Sequence, residues 1–208
     1  SRALVVPSNY VRQRCLDLFD VPLNHTIVAP AGVPSAFAGS HPSMVAQPYL
    51  LMHDDHPERE NARRIVSALE KHASRFPYPV VLGGPGAEEE SALDDRVVFI
   101  EHCPDAQLAG LYQQCAAFIC CGRGDGGALR IIEGLGAGCC VITPHSPATT
   151  DLVADGPFYY NPESTSSLLQ ALGRVLDQGP QERGQRVRHG KAIAARFGIS
   201  SSVRILAP

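Results

Sequence analysis

What the sequence lacks narrows its chemistry before any motif is read. It contains no run of 18 apolar residues, so no segment reads as a hydrophobic helix able to span a bilayer. Its first residues, "SRALVVPSNYVRQ", lack the basic, apolar and small-residue zones of a secretory signal. A soluble chain is the expectation. Charge of one sign is also lacking: 18 Lys and Arg against 21 Asp and Glu leave a formal charge of -3. That gives no global field to hold nucleic acid or an anionic membrane, and no nucleic-acid partner is expected. No C-x-x-C spacing occurs among the seven cysteines, which removes the common zinc frameworks. The pairs Cys120-Cys121 and Cys139-Cys140 lie inside apolar runs, which suits buried reduced thiols better than a disulfide scaffold. There is no internal repeat and no low-complexity segment.

What is present is a chain of 208 residues, 44% hydrophobic, enough to bury a core as one compact domain or two small ones. Short β-rich apolar runs recur: "ALVVP", "TIVAP", "PYLLMH", "PVVLGG", "RVVFIE", "AAFICC" and "CCVITP". Between them lie segments of helical period over 9–19, behind a Ser8 cap, and over 57–73, 105–115, 127–137 and 164–176. This alternation predicts a Rossmann-like, doubly wound parallel sheet covered by helices on both faces, with 1–208 as one domain. The tail 181–197, carrying Arg183, Arg186, Arg188, Lys191 and Arg196, reads as a solvated or docking helix. The turn-rich stretch "GVPSAFAGSHPSMVAQP" is the best linker candidate.

In such sheets ligands bind beyond the carboxyl ends of the strands. Four strand-following loops are unusual: "AGVPSAF", "PGAEEES", "GRGDGGALR" and "HSPATTD". Glycine at Gly32, Gly84, Gly126 and Gly127 lets backbone approach a ligand and turn N-H groups toward an anion. Plain turn chemistry explains any one of them equally well. The acids Glu88 to Glu90 suit a helix start, and His53, His56, His102 and His145 read as chance placements near strand ends. In "GRGDGGALRIIEGLGAGCCVIT" two carboxylates, Asp125 and Glu133, flank a glycine-rich turn. Spacing alone leaves open a solvated loop acid followed by an ordinary helix acid.

The order of these segments resembles the C-terminal, donor-binding half of retaining GT-B glycosyltransferases of the large family 4, group 1 type. "TIVAPAGVPSAF" is similar to that family's I-x-N-G-V-D-x-x-F element. "PYLLMHDDHPERENARRIVSAL" is similar to Y-x-G-R-x-x-x-E-K-N-x-x-x-L-I-x-A, and "PVVLGGPGAEE" to L-x-I-x-G-x-G-x-E. "VVFIEHCPDAQLAGLYQQCAAFICCGRGDGGALRIIEGLGAGCCVIT" resembles the stretch that carries V-x-F-x-G, L-Y-x-x-A and E-G-F-G-L-P-x-L-E-A-M-A-x-G-x-P-V-I. The likeness runs over nearly the whole chain and implies one half of a GT-B fold, with the N-terminal acceptor-binding half missing. It also implies transfer of a sugar, with retention, from a nucleotide sugar to a carbohydrate or lipid-linked acceptor, as in polysaccharide biosynthesis. The isolated half is then expected to be inactive, cytoplasmic, and in contact with a membrane only through the missing domain. The alternative is a non-catalytic domain of the same fold that serves as an interaction or assembly module.

The resemblance also implies roles. Glu133 accepts hydrogen bonds from the ribose diol, Asp125 approaches the transferred sugar, and Gly126, Gly127, Ala128 and Leu129 present amides to sugar and diphosphate. His102 and Cys103 lie along the nucleobase, and Gly32 and Gly84 line the cleft. Such enzymes use no metal or other cofactor and depend on an Arg and a Lys for the diphosphate. Counting back from Asn61, those two positions carry Asp55 and Glu60 in this chain. Arg59 and Arg130, with Arg63 and Arg123, are the neighbouring cations that can take the phosphate.

Overall fold

The computed structural model describes residues 3–42, 44–45, 48–53, 60–83, 96–100, 103–122 and 128–206. Its centre is a six-stranded, wholly parallel sheet built from β3 (Leu50–His53), β4 (Val80–Gly83), β5 (Val97–Ile100), β6 (Ala117–Cys120), β7 (Val141–Pro144) and β8 (Phe158–Tyr160). The spatial order is β5-β4-β3-β6-β7-β8. The chain therefore reverses its direction of travel across the sheet between β3 and β6. That is the point where open α/β sheets leave a crevice.

Helices cover both faces of the sheet: α2 (Glu60–Lys71), α3 (Asp105–Gln114), α4 (Ala128–Ala137), α5 (Pro147–Val153), α6 (Thr165–Leu176) and α7 (Pro180–Ala194). The central strands are buried on both sides, so they read as unbroken apolar runs, and their alternation divides the core in two. Tyr49, Leu51, Phe118, Cys120 and Val141 pack toward α3, α4 and α7. Leu50, Met52, Ile119, Cys121 and Ile142 pack toward α2 and α6. All seven cysteines are free thiols, five of them buried. Cys115 and Cys139 hold their sulfurs 3.2 Å apart, and burial pushes the Cys139 thiol well above its usual range.

The serines at two helix starts act as caps. Ser8 accepts from the Val11 amide at 3.1 Å at the head of α1 (Asn9–Phe19), and Ser164 accepts from the Ser167 amide at 3.2 Å at the head of α6.

The structure corrects the sequence reading in three places and decides a fourth, the basic tail, that the reading left open between a solvated and a docking helix. β1 (Leu4–Val6) and β2 (Thr26–Val28) pair with each other in a separate two-stranded parallel sheet and do not join the main one. β8, absent from the seven expected runs, adds an edge strand. The supposed linker is packed: Ser35–Ala38 forms a 3-10 turn that buries Phe37 at 1% exposure. The His41 amide donates to Gln113 of α3 at 2.9 Å. Finally, the basic tail is a docked helix followed by a second one. Ile193 and Ala194 of α7 are buried in the core with Leu135 of α4, and Arg183 donates to the carbonyl of Ala116 at 2.9 Å. After Phe197 the chain forms α8 (Ile199–Leu206).

Candidate functional site

The C-terminal edge of the sheet at the β3/β6 reversal is where the main candidates lie. His53 closes β3, in register with Cys120 of β6 and Gly83 of β4, and its carbonyl accepts the Cys121 amide at 3.2 Å. It is buried at 8% exposure. Strand alternation sets His53 on the Tyr49 and Leu51 face, the side that α3 and α4 cover. Sequence reading passed over this histidine, although the alternation in "YLLMH" carried the signal.

Helix α4 rises from this edge with Ala128, Leu129 and Arg130 in its first described turn. Glu133 follows on the second turn and is buried at 4% exposure. Its Oε2 takes a charge-assisted hydrogen bond of 3.0 Å from Nη1 of Arg130. Removing a carboxylate from water costs several kcal/mol unless a partner offsets it, and Arg130 is such a partner. The Arg130 side chain remains 30% exposed, so the pair has one end toward solvent. Behind it lies Tyr112 of α3, fully buried. Burial pushes its phenol well above the usual range, and the negative charge of Glu133 pushes it further. Cys103 stands just before α3, half-buried, with its thiol raised first by burial and then by Asp105.

The structure thus brings Glu133, Ala128, Leu129 and Arg130 together on one helix, with Cys103 at the same edge of the sheet. Glu60 is the exposed first residue of α2. Asp125, Gly126, Gly127, Gly84, His102 and Arg59 lie outside the described residues, as do Asp55 and Arg123. Gly32 is packed by the chain itself: a Cβ there would lie 2.5 Å from Cα of Ile199. The Val33 amide donates to the Phe197 carbonyl at 2.7 Å, and the Ser202 hydroxyl donates to the Pro30 carbonyl at 2.6 Å. Absence of a side chain at Gly32 is therefore required by the returning C-terminal segment. Gly32→Val is expected to cost about 1 to 3 kcal/mol by overpacking. That lowers the melting temperature by roughly 2 to 12 °C and exposes α8 to protease; a melt and a digestion pattern equal to the parent's would contradict the contact.

A second concavity, of about 450 Å³, opens at the far end of α4 between Phe37, Gly136, Lys191, Ala194 and Ile199. Its walls are mainly apolar, and among the described residues that line it there is no acid. Among the described residues no group of three or more metal-ligating side chains occurs. No helix among them is long and apolar enough to cross a membrane.

Comparison with known proteins gives this geometry a context. The profile of the family described as glycosyl transferases group 1 matches residues 48–178. No curated protein matches the sequence. Among solved structures, a glycosyltransferase from Rickettsia africae is similar over 98% of this chain and 61% of its own, with a TM-score of 0.76 at 15% identity. WaaG, a glycosyltransferase involved in lipopolysaccharide biosynthesis, is similar over 99% of this chain and 63% of its own (TM-score 0.77, 15% identity). Anabaena HepE, solved in complex with UDP and glucose, is similar over 99% and 62% (TM-score 0.77, 14% identity). The chain spans about three fifths of the length of these structures. At such identities the likeness establishes the fold: a divergent GT-B, Rossmann-like half.

Proposed function

We propose, from the fact that this chain belongs to the glycosyl transferases of group 1, that it is the donor-binding part of an enzyme that moves a sugar from a nucleotide sugar, with retention, to a carbohydrate or lipid-linked acceptor. The observation that carries the reading is the buried Glu133, held by Arg130 on the first turns of α4 beside the β3/β6 crevice. A carboxylate offers two acceptor oxygens and suits a vicinal diol such as a ribose. The amides opening α4 and the Arg130 guanidinium supply positive potential where a diphosphate lies. When the sugar leaves, negative charge grows on the departing phosphate, and donors already aimed at it lower the barrier. Asp125 is the proposed group nearest the transferred sugar. Gly126, Gly127, Ala128 and Leu129 bind the sugar and diphosphate, and Gly84, His102 and Cys103 the nucleoside side. No metal or other cofactor enters this scheme.

The acceptor side belongs to a second half of the molecule. Ile199, Val203 and Leu206 of α8 are exposed at 51%, 57% and 49% and repeat at helical spacing along one face. Leu4 and Val5 expose further apolar surface on the separate β1–β2 pair. These faces are where we place the counterpart of the neighbours' additional length, in a cytoplasmic protein whose membrane contact, where it has any, is made through that half. The isolated chain then transfers no sugar, because acceptor positioning and exclusion of water need the opposing domain.

Titration calorimetry of UDP and GDP into the chain tests the reading. Micromolar binding of one of them, lost in Glu133→Ala, is the expected result. One observation favours a second reading, a non-catalytic interaction module: Asp55 and Glu60 put acids where the diphosphate clamp is expected. Absence of any nucleotide binding selects that module.

A further inference from the structure

Two of the seven cysteines meet inside the core. Cys115 ends α3 and Cys139 precedes β7; both are buried, and their sulfurs stand 3.2 Å apart. An S–S bond is about 2 Å long, so the sulfurs are about 1.2 Å beyond bonding distance. Each thiol also has a backbone carbonyl in reach, that of Tyr112 for Cys115 and that of Cys140 for Cys139, both at 3.3 Å. These contacts fix the side chains in the rotamers that bring the sulfurs together. Cysteines adjacent in sequence do not meet in this way. Cys120 and Cys121 pack into opposite cores, as do Cys139 and Cys140, because successive residues of extended chain point to opposite faces.

The guanidinium of Arg183 reaches the same place from α7, donating to the carbonyls of Cys115 and Ala116 at 3.4 and 2.9 Å. Burial pushes the Cys139 thiol up, and the positive charge of Arg183 acts against that. It thereby favours the thiolate, which is the reactive form of a cysteine. Arg183 is itself partly exposed, so an oxidant not much larger than water needs a local opening at α7, and no global unfolding, to reach the sulfurs. The reaction is slow for the same reason: the pair is shielded until that opening occurs.

We propose that Cys115 and Cys139 form a reversible oxidation site, at which hydrogen peroxide converts the facing thiols to a disulfide that staples the end of α3 to the start of β7. One sulfur attacks a peroxide oxygen. The S–O bond forms as the O–O bond breaks, and the departing hydroxide takes up that thiol's proton as water. The second sulfur then attacks the sulfenic sulfur, forming S–S as S–O breaks, and its own proton leaves with the hydroxide as a second water. Two thiols and one hydrogen peroxide give one disulfide and two waters, with two electrons passing from sulfur to oxygen; a thiol reductant reverses the change. The bond closes a ring from 115 to 139 that contains β6 and α4. It therefore ties down the unit that carries Arg130 and Glu133, whether or not a nucleotide binds there.

The test treats the whole chain with hydrogen peroxide and maps its cysteines by tandem mass spectrometry after digestion without reductant. The expected product is a peptide pair joined through Cys115 and Cys139, lighter by two hydrogen atoms than the separate peptides and absent after dithiothreitol. A cross-link of this span restricts the unfolded chain, so the melting temperature is expected to rise by roughly 6 to 12 °C and to fall back on reduction. In Cys115→Ala, where one sulfur is gone, peroxide should produce no such rise. Cys139→Ala gives the same comparison from the other sulfur, and the peptide map of the parent decides without either variant. The inference is overturned when both cysteines stay free thiols while Cys15 or Cys103 is oxidised, when the disulfide joins a different pair, or when oxidation of either stops at sulfinic or sulfonic acid with no link. An equal rise in Cys115→Ala overturns it as well.

Discussion

Replacing Asp55 by Arg together with Glu60 by Lys is expected to tighten nucleoside diphosphate binding by about a hundredfold to ten-thousandfold. A hydrogen bond to a charged group is worth about 1.5 to 3 kcal/mol, so two restored contacts contribute about 3 to 6 kcal/mol before relief of repulsion is counted. At about 1.4 kcal/mol per tenfold change this gives the stated range. Glu60 opens α2, where a negative side chain suits the positive helix end. Its loss costs about 0.3 to 1 kcal/mol at an exposed site, well below the gain. Adding Glu133→Ala should then abolish the improvement, because the ribose loses its acceptor. Calorimetry on the parent, the double variant and the triple variant reads all three states. Equal affinity of the parent and the double variant would show that Arg130, Arg59, Arg63 or Arg123 already carries the whole diphosphate and that the reversed charges are irrelevant.

The second large effect concerns the segment that spacing alone suggested was a linker. A Cβ on Gly110 of α3 would lie 2.2 Å from the Pro42 carbonyl oxygen and 2.9 Å from its carbon. Both are backbone atoms that cannot rotate out of the way. The same stretch is fastened on either side: His41 donates to Gln113, Gln113 donates back to the Gly39 carbonyl, and Phe37 is buried beneath. Gly110→Ala therefore has to push the whole 37–42 stretch off α3. We expect about 3 kcal/mol of destabilisation, the upper part of the overpacking range, and a melting temperature lower by roughly 6 to 12 °C. Gly122→Ala is the control, since a Cβ there meets nothing within 4 Å. Similar melting temperatures for the two variants would show that the stretch is loosely attached after all.

These two cases mark what was legible from residue order. Runs such as "YLLM" and "AFIC" announce themselves because strands buried on both faces are continuously apolar, and helix α1 was bounded correctly because Ser8 has the chemistry of a cap. β8 escaped because three residues set between Gly156 and Asn161 carry too little pattern. The pairing of β1 with β2 alone is a choice between remote partners that no local periodicity encodes. The same reason hid Phe37, one buried ring in a stretch of Gly, Pro, Ser and Ala, and it hid the contact between Gly32 and Ile199. At the site, Glu133 was singled out through the family resemblance and not through spacing alone, and its ion pair with Arg130 is an ordinary i to i+3 contact on a helix. His53 was set aside as a chance placement and Tyr112 was not singled out, because their placement depends on β3 and α3 meeting α4 in three dimensions.

A nucleoside diphosphate is expected to bind at the β3/β6 edge above Glu133. The most direct measurement is a map of amide chemical-shift changes when UDP or GDP is titrated into the isotopically labelled chain. Changes are expected to concentrate at His53, Gly83, Cys103, Cys121, Gly122 and residues 128–133, to saturate together and to be lost in Glu133→Ala. Changes centred instead on Val33, Gly136 and Ile199 at the second concavity, or no saturable change at any amide, would contradict it.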